Sequence, residues 1–223
     1  MPLNIAMDGP VGAGKSSIAA EVARRLGILH LDTGAMYRAI GRTALVRGID
    51  VTDEKAATDL CHQLNITVSH EDDGQHTYVD GEDVTGCIRT PEVSLAASTV
   101  AKYLGVRQAM VALQQKLAGE TPMLVDGRDI CVRVLPNATV KIFLTASAEE
   151  RARRRWLEMQ NKGETDSYEQ VLADLKKRDD QDMNRQVDPL RPTADACIVD
   201  TTEMNFDQVV EHILSIVKEK THE

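Results

Sequence analysis

Residues 9 to 16 read Gly-Pro-Val-Gly-Ala-Gly-Lys-Ser. Residue types at that spacing suit one task, the cradling of a polyphosphate. The glycines let backbone N–H groups converge on phosphate oxygens. Lys15 can reach the β- and γ-phosphates, and the Ser16 hydroxyl can ligate Mg²⁺. Gly9, Pro10, Val11, Gly12, Ala13, Gly14, Lys15, Ser16 and Ser17 are therefore the candidate triphosphate-binding loop.

Two further segments carry groups that bind anions or metals. Asp32-Thr-Gly-Ala-Met-Tyr-Arg38 follows an apolar run and opens a helical pattern. Thr33 can cap that helix or bind a phosphate oxygen. Arg38 can fork onto a phosphate, or simply be a solvated helix arginine. Asp126-Gly-Arg-Asp129 follows a later apolar run. Asp126 is placed to organise the water shell of Mg²⁺, with Arg128 and Asp129 projecting into the same cleft; the bland alternative is an Asp-Gly turn.

The net charge is −9, yet Arg151, Arg153, Arg154 and Arg155 cluster, followed by Lys176, Lys177, Arg178 and Arg185. A local basic cluster in an acidic chain suits a small anionic ligand better than a nucleic-acid polymer. Aromatic residues make up only 3%, which leaves no stacking platform for single strands. A guanine-reading Asn-Lys-x-Asp is absent, since Asn161-Lys-Gly-Glu164 fails at its last position. A kinase for a small acceptor fits better than a GTPase switch.

The elements that must hold these groups are legible as patterns. Five apolar runs, Leu3–Met7, Ile28–Leu31, Met123–Val125, Val140–Leu144 and Cys197–Val199, do not alternate, as expected of a parallel sheet buried on both faces. Helical patterns lie between them. Arg107–Ala118 is one, Ser147 with Glu150 and Ser167 with Gln170 form capping boxes, and a final helix starts near Asn205. Strands alternating with helices predict an α/β fold. Residues 65–86 break the rhythm with alternating runs and the turn signals Asp73-Gly74 and Asp80-Gly81. They predict an antiparallel meander, either decoration or a lobe covering a second substrate.

The 223 residues suit one core with insertions. No apolar run reaches the ~18 residues of a membrane span, and no leader pattern opens the chain. The expectation is a cytoplasmic protein with no membrane partner. Cys61, Cys87, Cys131 and Cys197 lack metal-ligand spacing and are expected as reduced thiols.

Taken together, Gly9–Ser17, Asp32–Arg38, the meander, Ile88-Arg-Thr-Pro-Glu-Val93, Asp126–Asp129 and Arg178-Asp-Asp-Gln-Asp-Met-Asn-Arg185 resemble the bacterial cytidylate kinases, within the nucleoside monophosphate kinases. The resemblance covers essentially the whole chain. It implies a P-loop NTPase core with a five-stranded parallel sheet (1–32, 105–150 and 188–223), a monophosphate-binding lobe with the β insert (33–104), and a helical lid region (151–187). It implies transfer of the ATP γ-phosphoryl group to CMP or dCMP with Mg²⁺, by a monomer. The alternatives are a kinase for UMP or for both pyrimidine monophosphates, or a nucleotide-binding protein with little turnover.

By that resemblance Ser98, Arg107 and Asp129 read cytosine. Thr33, Arg38 and Arg128 bind the acceptor phosphate, and Asp182 contacts a sugar hydroxyl. Arg178 and Arg185 grip the phosphoryl groups. Lys15, Arg128, Arg178 and Arg185 are the expected catalytic residues, and Arg154 is assigned to ATP. Residues 178, 182 and 185 at i, i+4 and i+7 would share one helix face. The attacking phosphate oxygen is already ionised near pH 7, so no general base is needed, and none of the six histidines falls in a motif. One departure stands out. Family members usually follow Gly-Arg-Asp-Ile with Gly-Thr-Val, whereas this chain has Cys131-Val132-Arg133. A bulkier residue beside Asp129 and an added charge would reshape the base pocket or reduce activity.

Overall fold

A computed structural model describes residues 3–161 and 163–221. Lys162 of the failed guanine motif lies outside the described residues. Strands β1 (Asn4–Asp8), β2 (Leu29–Asp32), β6 (Met123–Gly127), β7 (Val140–Thr145) and β8 (Cys197–Asp200) form one parallel sheet in the order β2-β6-β1-β7-β8. The expected five strands are all present. The third runs two residues further than its apolar core, so Asp126 and Gly127 belong to β6 rather than to a following turn.

Successive residues of the central strands face opposite layers, and both layers are apolar. Ala6, Leu31 and Val125 pack with α2 (Thr33–Val46), α3 (Glu54–Gln63), α4 (Pro91–Val100) and α5 (Leu104–Glu120). Ile5, Met7, Leu124 and Leu144 pack with α1 (Lys15–Leu26) and α8 (Phe206–Thr221). The predicted caps form. Ser167 accepts from the Gln170 N–H, Ser147 accepts from Glu150, and Asn205 and Gln208 bond each other reciprocally.

The meander is β3 (Ile66–Glu71), β4 (Gly74–Val79) and β5 (Glu82–Asp83). It packs beside β2. Gln75 accepts from the Asp32 N–H at 2.8 Å and His70 meets the His30 carbonyl at 2.6 Å. The insert thus closes an otherwise open sheet edge. None of its residues lines the arginine-rich cavity described below; its β4 packs against β2 and against α2. Helices α6 (Ala148–Asn161) and α7 (Tyr168–Asn184) pair over a small core of Ala152, Val171 and Leu175.

Candidate active site

The phosphate loop leaves β1 at the carboxyl end of the sheet, where open α/β sheets bind ligands. Gly9 crosses so close to β7 that a Cβ there would lie 2.0 Å from the Leu144 carbonyl oxygen. Gly14, at φ +81°, is the N-cap of α1 and offers no capping side chain. The first N–H groups of α1 therefore remain open to an anion. Lys15 is buried, and its Nζ donates to the Pro10 carbonyl at 2.7 Å. Burial, then the nearby Arg128 charge, pushes its ammonium well below the ordinary lysine range. A phosphate oxygen placed there would reverse that shift.

Ser16 Oγ donates to Asp126 Oδ2 at 2.9 Å, and His30 Nε2 meets Asp126 Oδ1 at 2.8 Å. Asp126 thus faces the loop with one oxygen and β2 with the other. Hydroxyl and carboxylate oxygens brought together under a phosphate cradle fit Mg²⁺, a hard cation with oxygen ligands. His30 escaped the sequence reading. Its one signal is a polar residue inside the otherwise apolar run Ile28–Leu31.

A second cavity opens beside this loop. Its free volume is about 90 Å³, and its walls carry Thr33, Arg38, Ser98, Arg107, Arg128, Asp129, Arg178, Asp182 and Arg185. All nine residues expected to bind the acceptor meet there, drawn from α2, α4, α5, the end of β6 and α7. Two ion pairs pinch it, the first buried and the second half-buried. Arg107 Nη2 donates to Asp129 Oδ2, and Arg128 Nε donates to Asp182 Oδ2 at 2.9 Å. Burial would raise the Asp182 carboxyl, but Arg128 and the other arginines outweigh it and hold it below its ordinary range. Burial, reinforced by the Arg128 charge, lowers the Arg178 guanidinium to about 10. Among the described residues the buried N–H donors Arg38 Nε, Arg178 Nε and Arg185 Nη2 have no hydrogen-bond partner, although Arg185 Nη2 lies 3.5 Å from Asp129 Oδ1. Tyr37 also lines the cavity, and burial pushes its phenol up. It stands one turn after Thr33, a spacing the sequence reading passed over.

Several expectations need correction. Thr33 does not cap α2. Asp32 does, accepting from the Ala35 N–H at 3.0 Å, while Thr33 Oγ1 donates to the Asp126 carbonyl at 2.8 Å. Asp32 also holds Arg38 at 2.7 Å and Arg89 at 3.2 Å. Arg185 lies just past the end of α7 with extended backbone, so residues 178, 182 and 185 reach one cavity without sharing one helix. The basic run at 151–155 disperses. Arg151 is buried, donating to Val11 O at 2.8 Å and pairing with Asp179 at 2.7 Å, which ties α6 and α7 to the phosphate loop. Arg154 is held by Glu150 and by the Thr201 carbonyl at 2.6 Å, away from the acceptor cavity. Arg153 pairs with Glu150 on the surface.

The cytidylate kinase family model matches residues 5–219. A cytidylate kinase of Shouchella clausii is 49% identical over 99% of this chain and 98% of its own. That of Bacillus subtilis is 45% identical over 98% of each. The chain belongs to the cytidylate kinase family. Among solved structures, a gluconokinase from Sinorhizobium meliloti superposes with a TM-score of 0.51 at 17% identity, covering 98% of this chain and 93% of its own. An uncharacterized protein from Eubacterium ventriosum superposes at 0.55 and 12%, covering 97% and 98%. Those two likenesses concern the fold alone.

The departure from the usual cytidylate kinase pattern resolves in space. Cys131 does not enter the base pocket. Its thiol is buried between β1 and β7, near the carbonyls of Ala6 and Ile142. Burial pushes that thiol up, so it is inert packing. The Asp8 carboxylate accepts from the N–H groups of Ile130 and Cys131 at 2.8 and 2.9 Å, fixing the start of a wide π-helical turn over Ile130–Val134. Asp8, like His30 and Tyr37, is a group the sequence reading missed. Arg133 leaves that turn in the other direction and pairs with Asp188.

Proposed function

We propose that this enzyme transfers the terminal phosphoryl group of ATP to CMP and dCMP. The observation that carries the reading is the acceptor cavity. Four arginines, Arg38, Arg128, Arg178 and Arg185, surround a space in which the buried Arg38 Nε and Arg178 Nε lack a partner among the described residues and Arg185 Nη2 reaches only Asp129 Oδ1, at 3.5 Å. Buried donors without acceptors are costly, and a monophosphate supplies the missing oxygens and the opposite charge. The Arg107–Asp129 pair stands in the same wall. Asp129 can accept from the cytosine amino group, and Arg107 and Ser98 can donate to the ring nitrogen and carbonyl. Uracil would set a carbonyl against the Asp129 carboxylate, a mismatch that hydrogen-bonding sites reject strongly.

At about 90 Å³ the cavity is below the ~300 Å³ at which ligand pockets generally begin. The substrate therefore enters as the pinching pairs part. Arg128 exchanges Asp182 for phosphate, leaving Asp182 for the sugar, and Arg107 and Asp129 exchange each other for the base. Residues 33–104 and the 151–187 lid region are the segments that would move. Closing them around both substrates excludes water and suppresses ATP hydrolysis.

The acceptor oxygen is ionised near neutral pH, so catalysis is alignment and charge neutralisation. Lys15 and the α1 N-terminus hold the ATP phosphates. Arg128, Arg178 and Arg185 stabilise charge on the transferred group. Ser16, and Asp126 through water, would hold Mg²⁺, which would offset the negative charge of the phosphate oxygens. The nucleotides are the expected partners of a monomer working in the cytoplasm.

ADP release measured with CMP, dCMP, UMP, AMP, GMP and no acceptor tests the proposal. Turnover is expected with CMP and dCMP. A preference for UMP overturns the reading of Asp129, and ADP release independent of any acceptor overturns the kinase assignment.

A further inference from the structure

Asp188 stands outside every motif, yet three arginines converge on it. Its Oδ2 accepts from Arg107 Nε at 3.2 Å, its Oδ1 accepts from Arg133 Nε, and its carbonyl accepts from Arg185 Nε at 2.6 Å. Its side chain is only 8% exposed. Its backbone sits at φ +48°, one of two non-glycine residues at positive φ among the described residues, and Pro189 follows it. That conformation is unfavourable for a residue with a Cβ, though aspartate tolerates it better than most. Strain of this kind persists only where the surroundings over-determine it. Here the strained residue aims its carboxylate and its carbonyl at two arginines of the acceptor cavity.

The geometry at Arg107 defines the consequence. Arg107 is almost wholly buried, and its guanidinium has two carboxylates around it, Asp129 on Nη2 and Asp188 on Nε. When a base displaces the contact to Asp129, Asp188 is the one carboxylate left on the guanidinium, beside the Ala101 carbonyl that accepts from Nη1 at 3.4 Å. Asp188 in turn sits on a segment, residues 185–190, that is not part of the sheet. Leu190 N–H donates to the Asp182 carbonyl at 2.9 Å, and two ion pairs tie the segment to the turn after β6, Arg185 with Asp129 at 3.5 Å and Arg133 with the Asp188 carboxylate itself. Arg133 is half exposed, so as a surface ion pair it contributes little to stability. Its role lies in fixing the rotamer of the Asp188 carboxylate.

We propose that Asp188 and Arg133 are positioning residues that act in series, Arg133 through Asp188, to orient Arg107 for the acceptor base. The proposal rests on the reading of Arg107 as a base contact. It also gives the Arg133 departure from the family pattern a use, because Arg133 joins the 185–190 segment to the base-reading end of the cavity.

The test measures KM for CMP and for ATP in Arg107→Lys, Arg133→Gln, Arg133→Lys, Asp188→Asn and the Arg133→Gln/Asp188→Asn double variant, with thermal unfolding of each recorded alongside. Arg107→Lys is expected to raise KM for CMP. Arg133→Gln and Asp188→Asn are each expected to raise it about fivefold, a typical coupling for residues in one network. KM for ATP stays within about twofold, since the donor loop touches neither residue. The double variant matches Asp188→Asn alone, and Arg133→Lys recovers most of the loss. A purely structural role would move both KM values and the unfolding temperature together. Arg133 lies half exposed, so its variants remain informative even where Asp188→Asn unfolds. If Arg107→Lys raises KM for CMP while Arg133→Gln leaves it unchanged, or if the two single effects multiply in the double variant, the series arrangement is wrong. If Arg107→Lys leaves KM for CMP unchanged, the base-contact reading itself fails and this inference with it.

Discussion

Ser16 and Asp126 lie 110 residues apart in the chain and 2.9 Å apart in the fold, hydroxyl to carboxylate. The contact joins the phosphate loop after β1 to the end of β6, because those two strands are neighbours in register, Met7 opposite Asp126. Parallel pairing thus carries the hydroxyl of the phosphate loop and a carboxylate to the same end of the sheet.

Asp126→Asn should lower turnover by about 10- to 100-fold, the usual effect of losing an outer-sphere metal partner. Part of that loss should return as Mg²⁺ is raised. Initial rates across a magnesium titration measure it. An unchanged magnesium dependence would separate Asp126 from the metal.

Asp129→Asn should damage the choice of base more than the grip on ATP. The side chain pairs with buried Arg107, and removing one partner of a buried pair typically costs about 3–5 kcal/mol. The CMP to UMP ratio of kcat/KM should fall by orders of magnitude, with KM for ATP nearly constant. Equal losses toward both substrates would refute its placement at the base.

Gly41→Ala tests how α2 and α4 set the cavity. A Cβ at position 41 would lie 2.8 Å from the Ala97 backbone nitrogen and 3.1 Å from the Ala96 Cβ. The helices must separate, at about 1–3 kcal/mol for overpacking, and α4 carries Ser98. Urea unfolding should show the lost stability, and KM for CMP should rise while KM for ATP does not. A neutral effect on both would mean that the two helices adjust freely.

His76 should make the meander more stable in mild acid. Hydrogen bonds to Asp83 and Asp73 at 2.8 Å each raise its imidazole to about 9. A raised pKa means the folded state favours the protonated form. The contribution is therefore complete below the unfolded value near 6.5 and is lost as pH climbs toward 9. Hydrogen bonding from Thr85, and next the bond to His76, depresses Asp83 to about 2, so the acidic limit lies below the ordinary aspartate range near 3.8. His76→Gln should lower the unfolding temperature at pH 6 and not at pH 9.5, with the difference shrinking in high salt. A difference that persists at pH 9.5 would exclude the charged clamp.

Features written in consecutive residues were legible in the chain. The phosphate loop, the five strands and the capping boxes follow from local spacing, and the nine residues expected at the acceptor cavity follow from the resemblance to the cytidylate kinases. The partners of individual charges were not legible. Arg151 and Arg154 sit in one basic run, yet Arg151 is buried against Asp179 and Val11 while Arg154 bonds Thr201. His30, Asp8 and Asp188 carry no motif, and each matters through a contact with a residue far away in sequence.

The sequence by itself determined the elements and the kinds of chemistry available, because helix and strand periods, caps and glycine conformations depend on near neighbours. Only the tertiary structure decided which carboxylate meets which guanidinium, and that Cys131 turns into the core while Arg133 turns to Asp188. Those outcomes depend on the order of strands in the sheet and on which buried charges must be paired, and neither is a property of any short stretch of chain.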